Sequence, residues 1–69
     1  MQDQKRLGEN LKRLRHAKGW SQEDFAHHSG IYRTDVGAYE NGKRNLTLRT
    51  MRTLADAYGV KIADLLKGV

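Results

Sequence analysis

Trp20-Ser21-Gln22-Glu23-Asp24-Phe25 opens, and Tyr39-Glu40-Asn41-Gly42-Lys43 closes, the stretch whose reading decides the fold. Ser21 is a good helix cap, and Asp24 occupies the capping-box position three residues on, in place of the usual Glu or Gln. Trp20 before the cap and Phe25 at the fourth helical position are placed to form a hydrophobic staple. The helix they start is short, because Ser29-Gly30 interrupts it about two turns later. A new helix is expected from about Arg33 to Glu40, where Asn41-Gly42 stops it. Upstream, Leu7, Leu11 and Leu14 recur at helical spacing. They predict an amphipathic helix over about residues 4 to 18, ended by Gly19, with Lys5, Lys12, Arg13 and Lys18 among its polar positions. Downstream the same grammar repeats. Thr47 caps, Leu46 and Met51 can staple around it, and Met51, Leu54, Ala55 and Tyr58 keep helical periodicity until Gly59. Val60, Ile62, Leu65, Leu66 and Val69 mark a last short helix whose start is poorly specified, since Lys61 holds the cap position.

With no proline, no alternating strand pattern, no repeat and no low-complexity linker, the reading is all-α with about five helices. The 69 residues make one small domain, 38% hydrophobic with five aromatics, and such a core rarely supplies more than about 3 to 5 kcal/mol. A second copy of the chain is therefore an expected source of stability. Cysteine is absent, which removes disulfides and thiolate metal sites. A reducing, cytoplasmic setting fits, and neither a membrane-spanning run nor a signal peptide is present, so the chain is expected to act as written.

Thirteen Lys and Arg against eight Asp and Glu give a net charge of +5, a balance that attracts polyanions. Its distribution says more. Residues 1 to 20 carry six basic and two acidic side chains, while residues 43 to 52 carry Lys43, Arg44, Arg49 and Arg52 and no acid. Between them, Ser21 to Gly42 hold Glu23, Asp24, Asp35 and Glu40 against Arg33 alone. Two short helices joined by a tight turn at Gly30 have the form of a DNA-binding helix-turn-helix, in which the second helix enters the major groove.

From Leu11 to Leu66 the chain resembles the Cro/cI repressor class, also called the XRE family. The resemblance rests on Leu14-Arg15, Trp20 to Ala26, Gly30-Ile31, Val36, Tyr39-Glu40-Asn41-Gly42-Lys43 and Leu54-Ala55-Asp56-Ala57-Tyr58-Gly59-Val60. It implies a compact, lambda-repressor-like five-helix bundle over residues 1–69, with the helix-turn-helix at about 21–41. Arg33-Thr34 and Arg44-Asn45 resemble, more weakly, restriction-modification controller proteins.

On the third helix, Val36 and Tyr39 share one side and are expected to pack inward, leaving Arg33, Thr34, Gly37 and Ala38 for base readout. Arg33 can make a bidentate contact to guanine or bind only phosphate, and Thr34 can hydrogen-bond or meet a thymine methyl. Ala38 is a thymine-methyl contact or a small spacer. Gly37 marks close approach to DNA or a permissive surface site. Lys43, Arg44 and Asn45 follow directly as a clamp on flanking phosphates, with Tyr32 and Gln22 also assigned to the backbone. For Gln22 this is what the resemblance implies, aided by the free N–H groups at a helix start. The resemblance also implies an ion pair between Arg15 and Glu40. Ile62, Leu65, Leu66 and Val69 supply apolar surface for a twofold interface.

No catalytic, metal or cofactor constellation is expected. His16, His27 and His28 lack metal-ligand spacing, and His27 and His28 point in different directions on a helix. Gly-rich phosphate loops and nucleophile motifs are missing, and no small-molecule ligand or membrane is implied. The reading is a sequence-specific regulator that binds a pseudo-palindromic duplex operator as a homodimer. An antitoxin-like or regulatory interaction module on the same fold is the alternative.

Overall fold

The computed structural model describes residues 2–69, folded into five helices: α1 (Gln2–Ala17), α2 (Gln22–Ser29), α3 (Arg33–Glu40), α4 (Leu48–Tyr58) and α5 (Ile62–Leu65). No strand occurs among the described residues. The caps set the boundaries. Ser21 Oγ accepts from the Asp24 N–H at 3.0 Å while the Asp24 carboxylate accepts from the Ser21 N–H at 2.9 Å, a complete capping box. Trp20 and Phe25 meet with ring centroids 6.1 Å apart across it. Gly30 then takes φ +77°, a left-handed conformation that residues with a Cβ rarely adopt, and this turn delivers the chain to α3. Thr47 caps α4 by accepting from the Thr50 N–H at 3.1 Å.

The core is built from Leu7, Leu11, Phe25, Val36, Leu54, Ala55, Tyr58 and Leu65, drawn from all five helices. Phe25 and Tyr58 stack at 4.4 Å and tie α2 to α4. Burial pushes the Tyr58 phenol well above its ordinary range, with the nearby Glu40 charge adding to the effect, so this tyrosine stays neutral. α1 packs against α3 and α5, and α2 against α3 and α4. Gly8 is what lets α1 approach so closely. A Cβ there would lie 2.4 Å from the Glu40 carbonyl oxygen and 2.7 Å from that of Tyr39.

Two expectations change at the carboxyl end. α5 is only four residues long, so Leu66 and Val69 lie beyond it. Leu65 is fully buried in the chain's own core and offers nothing to a second copy. Its inward direction is fixed by Asn10, a buried side chain of α1 whose amide donates to the carbonyls of Leu65 and Lys67, both at 2.8 Å. Those carbonyls would otherwise be left without partners as α5 ends. Ile62 is half-buried, while Leu66 and Val69 remain exposed. α1 also begins at Gln2, earlier than the leucine spacing indicated. No helix among the described residues is long and apolar enough to cross a membrane.

Candidate nucleic-acid interface

Beneath α3 lies a buried polar hub. Arg15, from the last turn of α1, donates through Nε to Glu40 Oε2 at 2.7 Å and through Nη2 to Glu40 Oε1 at 3.1 Å. Its Nη1 donates to the Trp20 carbonyl at 2.7 Å, which ties in the segment entering α2. Gln22, the first residue of α2, completes the set by donating Nε2 to Glu40 Oε1 at 3.1 Å. The two charged side chains are 7% and 2% exposed. Glu40 raises the Arg15 pKa above its ordinary value, chiefly through the side-chain hydrogen bond and despite the opposing effect of desolvation. A bidentate pair of this kind fixes direction as well as distance. It therefore locks the end of α3 to α1 and to the start of α2.

Burying Glu40 rotates the reading of α3. At about 100° per residue, Val36 and Glu40 lie within about 40° of each other and define the inward direction. Ala38 then stands opposite them, flanked by Thr34 on one side and Asp35 on the other. Tyr39, expected inside, is only half-buried. Arg33, the first helical residue, is exposed at the amino-terminal end of α3. Gly37 sits toward α2, where a Cβ would make ordinary contact with the Gln22 amide at 3.7 to 3.8 Å, so nothing inside the chain demands glycine there.

Of the backbone candidates, Tyr32 is 80% exposed just ahead of α3 and makes no side-chain cap. Lys43, Arg44 and Asn45 are exposed in the loop after α3. Arg44 is not free. It forms an ion pair with Asp35 and lies over the Tyr39 ring, 5.8 Å from its centroid. The Asp35 hydrogen bond, then the Asp35 charge, raises the Arg44 pKa. Sequence reasoning passed over Asp35, since nothing in local spacing joins the first turn of a helix to a loop nine residues on. His27 and His28 are both exposed, and His28 stacks on Trp20 with ring centroids 4.4 Å apart. Among the described residues no three His, Cys, Asp or Glu side chains are grouped to hold a metal ion.

Two short helices set at a glycine turn, with the second held from beneath, Thr34 exposed on its outer side and Asp35 and Ala38 half-buried there, define a helix-turn-helix protein. A family model described as a helix-turn-helix domain matches residues 6–66, and the chain belongs to that family. It is 44% identical over 62 residues to the SPbeta prophage-derived uncharacterized HTH-type transcriptional regulator YonR of Bacillus subtilis, a match covering 90% of this chain and 57% of that protein. Control protein C.SmaI of Serratia marcescens is 40% identical over 60 residues, covering 87% of this chain and 71% of the relative. The chain thus spans little more than half the length of the first relative. Among solved structures, the restriction-modification controller protein C.AhdI from Aeromonas hydrophila superposes with a TM-score of 0.90 at 40% identity. That superposition covers 94% of this chain and 98% of the controller.

Proposed function

We propose that this chain is a sequence-specific, duplex-DNA-binding transcription regulator that reads base edges from α3. The observation that carries this reading is the contrast between the open and the held parts of α3: Thr34 on the outer side and Arg33 at the amino-terminal end are exposed, while the helix is fixed from beneath by the buried Arg15–Glu40 pair and the half-buried Gln22. Rigid placement matters because a bidentate arginine-to-guanine contact is worth about 1 to 3 kcal/mol of discrimination only when its geometry is met. Lys43, Arg44, Asn45 and Tyr32 supply backbone contacts that position α3 without reading sequence. Relatives named as transcription regulators and control proteins support the same reading.

The protein acts as a homodimer in the cytoplasm, on a pseudo-palindromic operator, and not as an enzyme. Two copies related by a twofold axis present their reading helices about 34 Å apart, one turn of duplex. Of the residues assigned to that contact, Ile62, Leu66 and Val69 keep accessible surface and Leu65 does not.

Titration against a library-selected duplex and a scrambled one, at several salt concentrations, tests the assignment. Arg33→Ala weakens the selected duplex by about 1 to 3 kcal/mol and flattens preference at one base pair. Lys43→Ala weakens both duplexes alike and lowers the salt slope by about 0.9. Wild type that fails to distinguish the two duplexes at physiological salt contradicts the proposal and favours an interaction module.

A further inference from the structure

Asp35 stands on the outer side of α3, next to Ala38 and one step from Thr34, on the side that the reading above turns toward DNA. A bare carboxylate there would meet phosphate repulsion. Instead it is engaged by Arg44, whose guanidinium also lies over Tyr39, four residues further along the same stripe of the helix. Arg44 is thereby carried by α3 although it belongs to the following loop. Only its Nη1 is taken by Asp35. A guanidinium has five N–H donors, and the Arg44 side chain remains 52% exposed, so it can serve DNA without leaving Asp35.

We propose that Asp35 is a specificity-determining positioning residue that restricts Arg44 to the one register set by α3. The inference rests on the DNA-reading function proposed above. When α3 is seated on its site, the held guanidinium reaches the backbone with little further loss of side-chain freedom. On an unrelated duplex the seating differs, and Arg44 can reach phosphate only by giving up its pair with Asp35. The carboxylate therefore penalises the wrong complex and leaves the right one untouched, which is how a charge lowers indiscriminate binding without reading a base.

Asp35→Asn, made both in wild type and in an Arg44→Gln background, is titrated against the library-selected duplex and a scrambled duplex of equal composition. In wild type the substitution lowers the ratio of the two affinities by about two- to fivefold, the range that an exposed ion pair can enforce. It also raises the salt slope on the scrambled duplex by up to about 0.9, one added phosphate contact. In the Arg44→Gln background the ratio does not respond. An unchanged ratio in wild type overturns the proposal. So does an equal fall in both backgrounds, which would mean that Asp35 contacts DNA itself. If the parent protein does not separate the two duplexes at all, the DNA-reading function fails first; if the parent separates them and Asp35→Asn has no effect, the positioning role alone fails.

Discussion

Two guanidinium–carboxylate pairs flank α3, Arg15–Glu40 beneath it and Arg44–Asp35 on its outer side, and the same chemistry does opposite work in the two places. The inner pair is bidentate and almost wholly excluded from water, with Gln22 and the Trp20 carbonyl filling the remaining positions. Desolvation offsets much of its attraction, so its value lies in direction, and the loss of one partner leaves the other charge stranded. The outer pair is half in solvent, where screening and side-chain freedom leave little net stability. The inner pair fixes where α3 points, and the outer pair governs what can be done with the helix once it is fixed.

The largest expected effect comes from breaking the inner pair. Arg15→Met or Glu40→Gln should destabilise the fold by about 3 to 5 kcal/mol, the cost of a buried charge left without its partner. Thermal melts of both single variants and the double variant give the coupling. Additive losses would mean that the pair is not a unit. Asp35→Asn should leave the melting temperature where it was, and a large drop would erase the distinction between the two pairs.

Gly8→Ala presses on the inner pair from the backbone side. Its Cβ would meet the Glu40 and Tyr39 carbonyls well inside contact distance, so α1 or α3 must shift. Overpacking of this kind costs about 1 to 3 kcal/mol. Chemical denaturation measures it, and a variant as stable as wild type would show that α1 and α3 are not held as tightly as the hub implies.

Gly37→Ala acts on the other side. The chain leaves ordinary space for a methyl beside Gln22, and alanine is a better helix former by about 0.5 to 1 kcal/mol. Stability should rise by that amount. Weaker binding to the selected duplex in the same variant would place the α3 backbone close to DNA at this position, and unchanged binding would mark it as a permissive site.

The smallest effect is a pH dependence at the exposed start of α2. The Ser21 backbone N–H, and then its hydroxyl, hold the Asp24 carboxyl below the usual carboxylate range. A folded-state pKa below the unfolded one adds stability that is full above that range and drains away as pH falls through the folded value. The advantage of wild type over Asp24→Asn should thus be present at neutral pH and shrink below about pH 4. Melts across that window check it, and a gap independent of pH would remove the capping carboxylate from the account.

Much of this fold was legible because its punctuation is local. Ser21 with Asp24, Thr47, Gly30 and Gly59 each act within one turn, and the structure places helix ends at all of them. What local pattern could not carry was contact across the chain. Asn10 reaches carbonyls 55 and 57 residues away, and no spacing announces that reach. Leu65 and Leu66 are adjacent apolar residues of the same kind, yet one is core and the other surface, because a four-residue helix has one turn in which to choose its inner side. The Arg15–Glu40 pair was reached through family resemblance, and burial of its carboxylate then moved Asp35 into the outer arc. Charge alone would have filed all four as solvated ions.

Selection of bound sequences from a random duplex library, run in parallel on wild type and Arg33→Ala, tests most directly the claim that an internally fixed α3 reads DNA. Wild type should enrich one pseudo-palindromic motif, and Arg33→Ala should return the same motif with preference lost at one position in each half. No enrichment by wild type, or an identical motif from the variant, would contradict it.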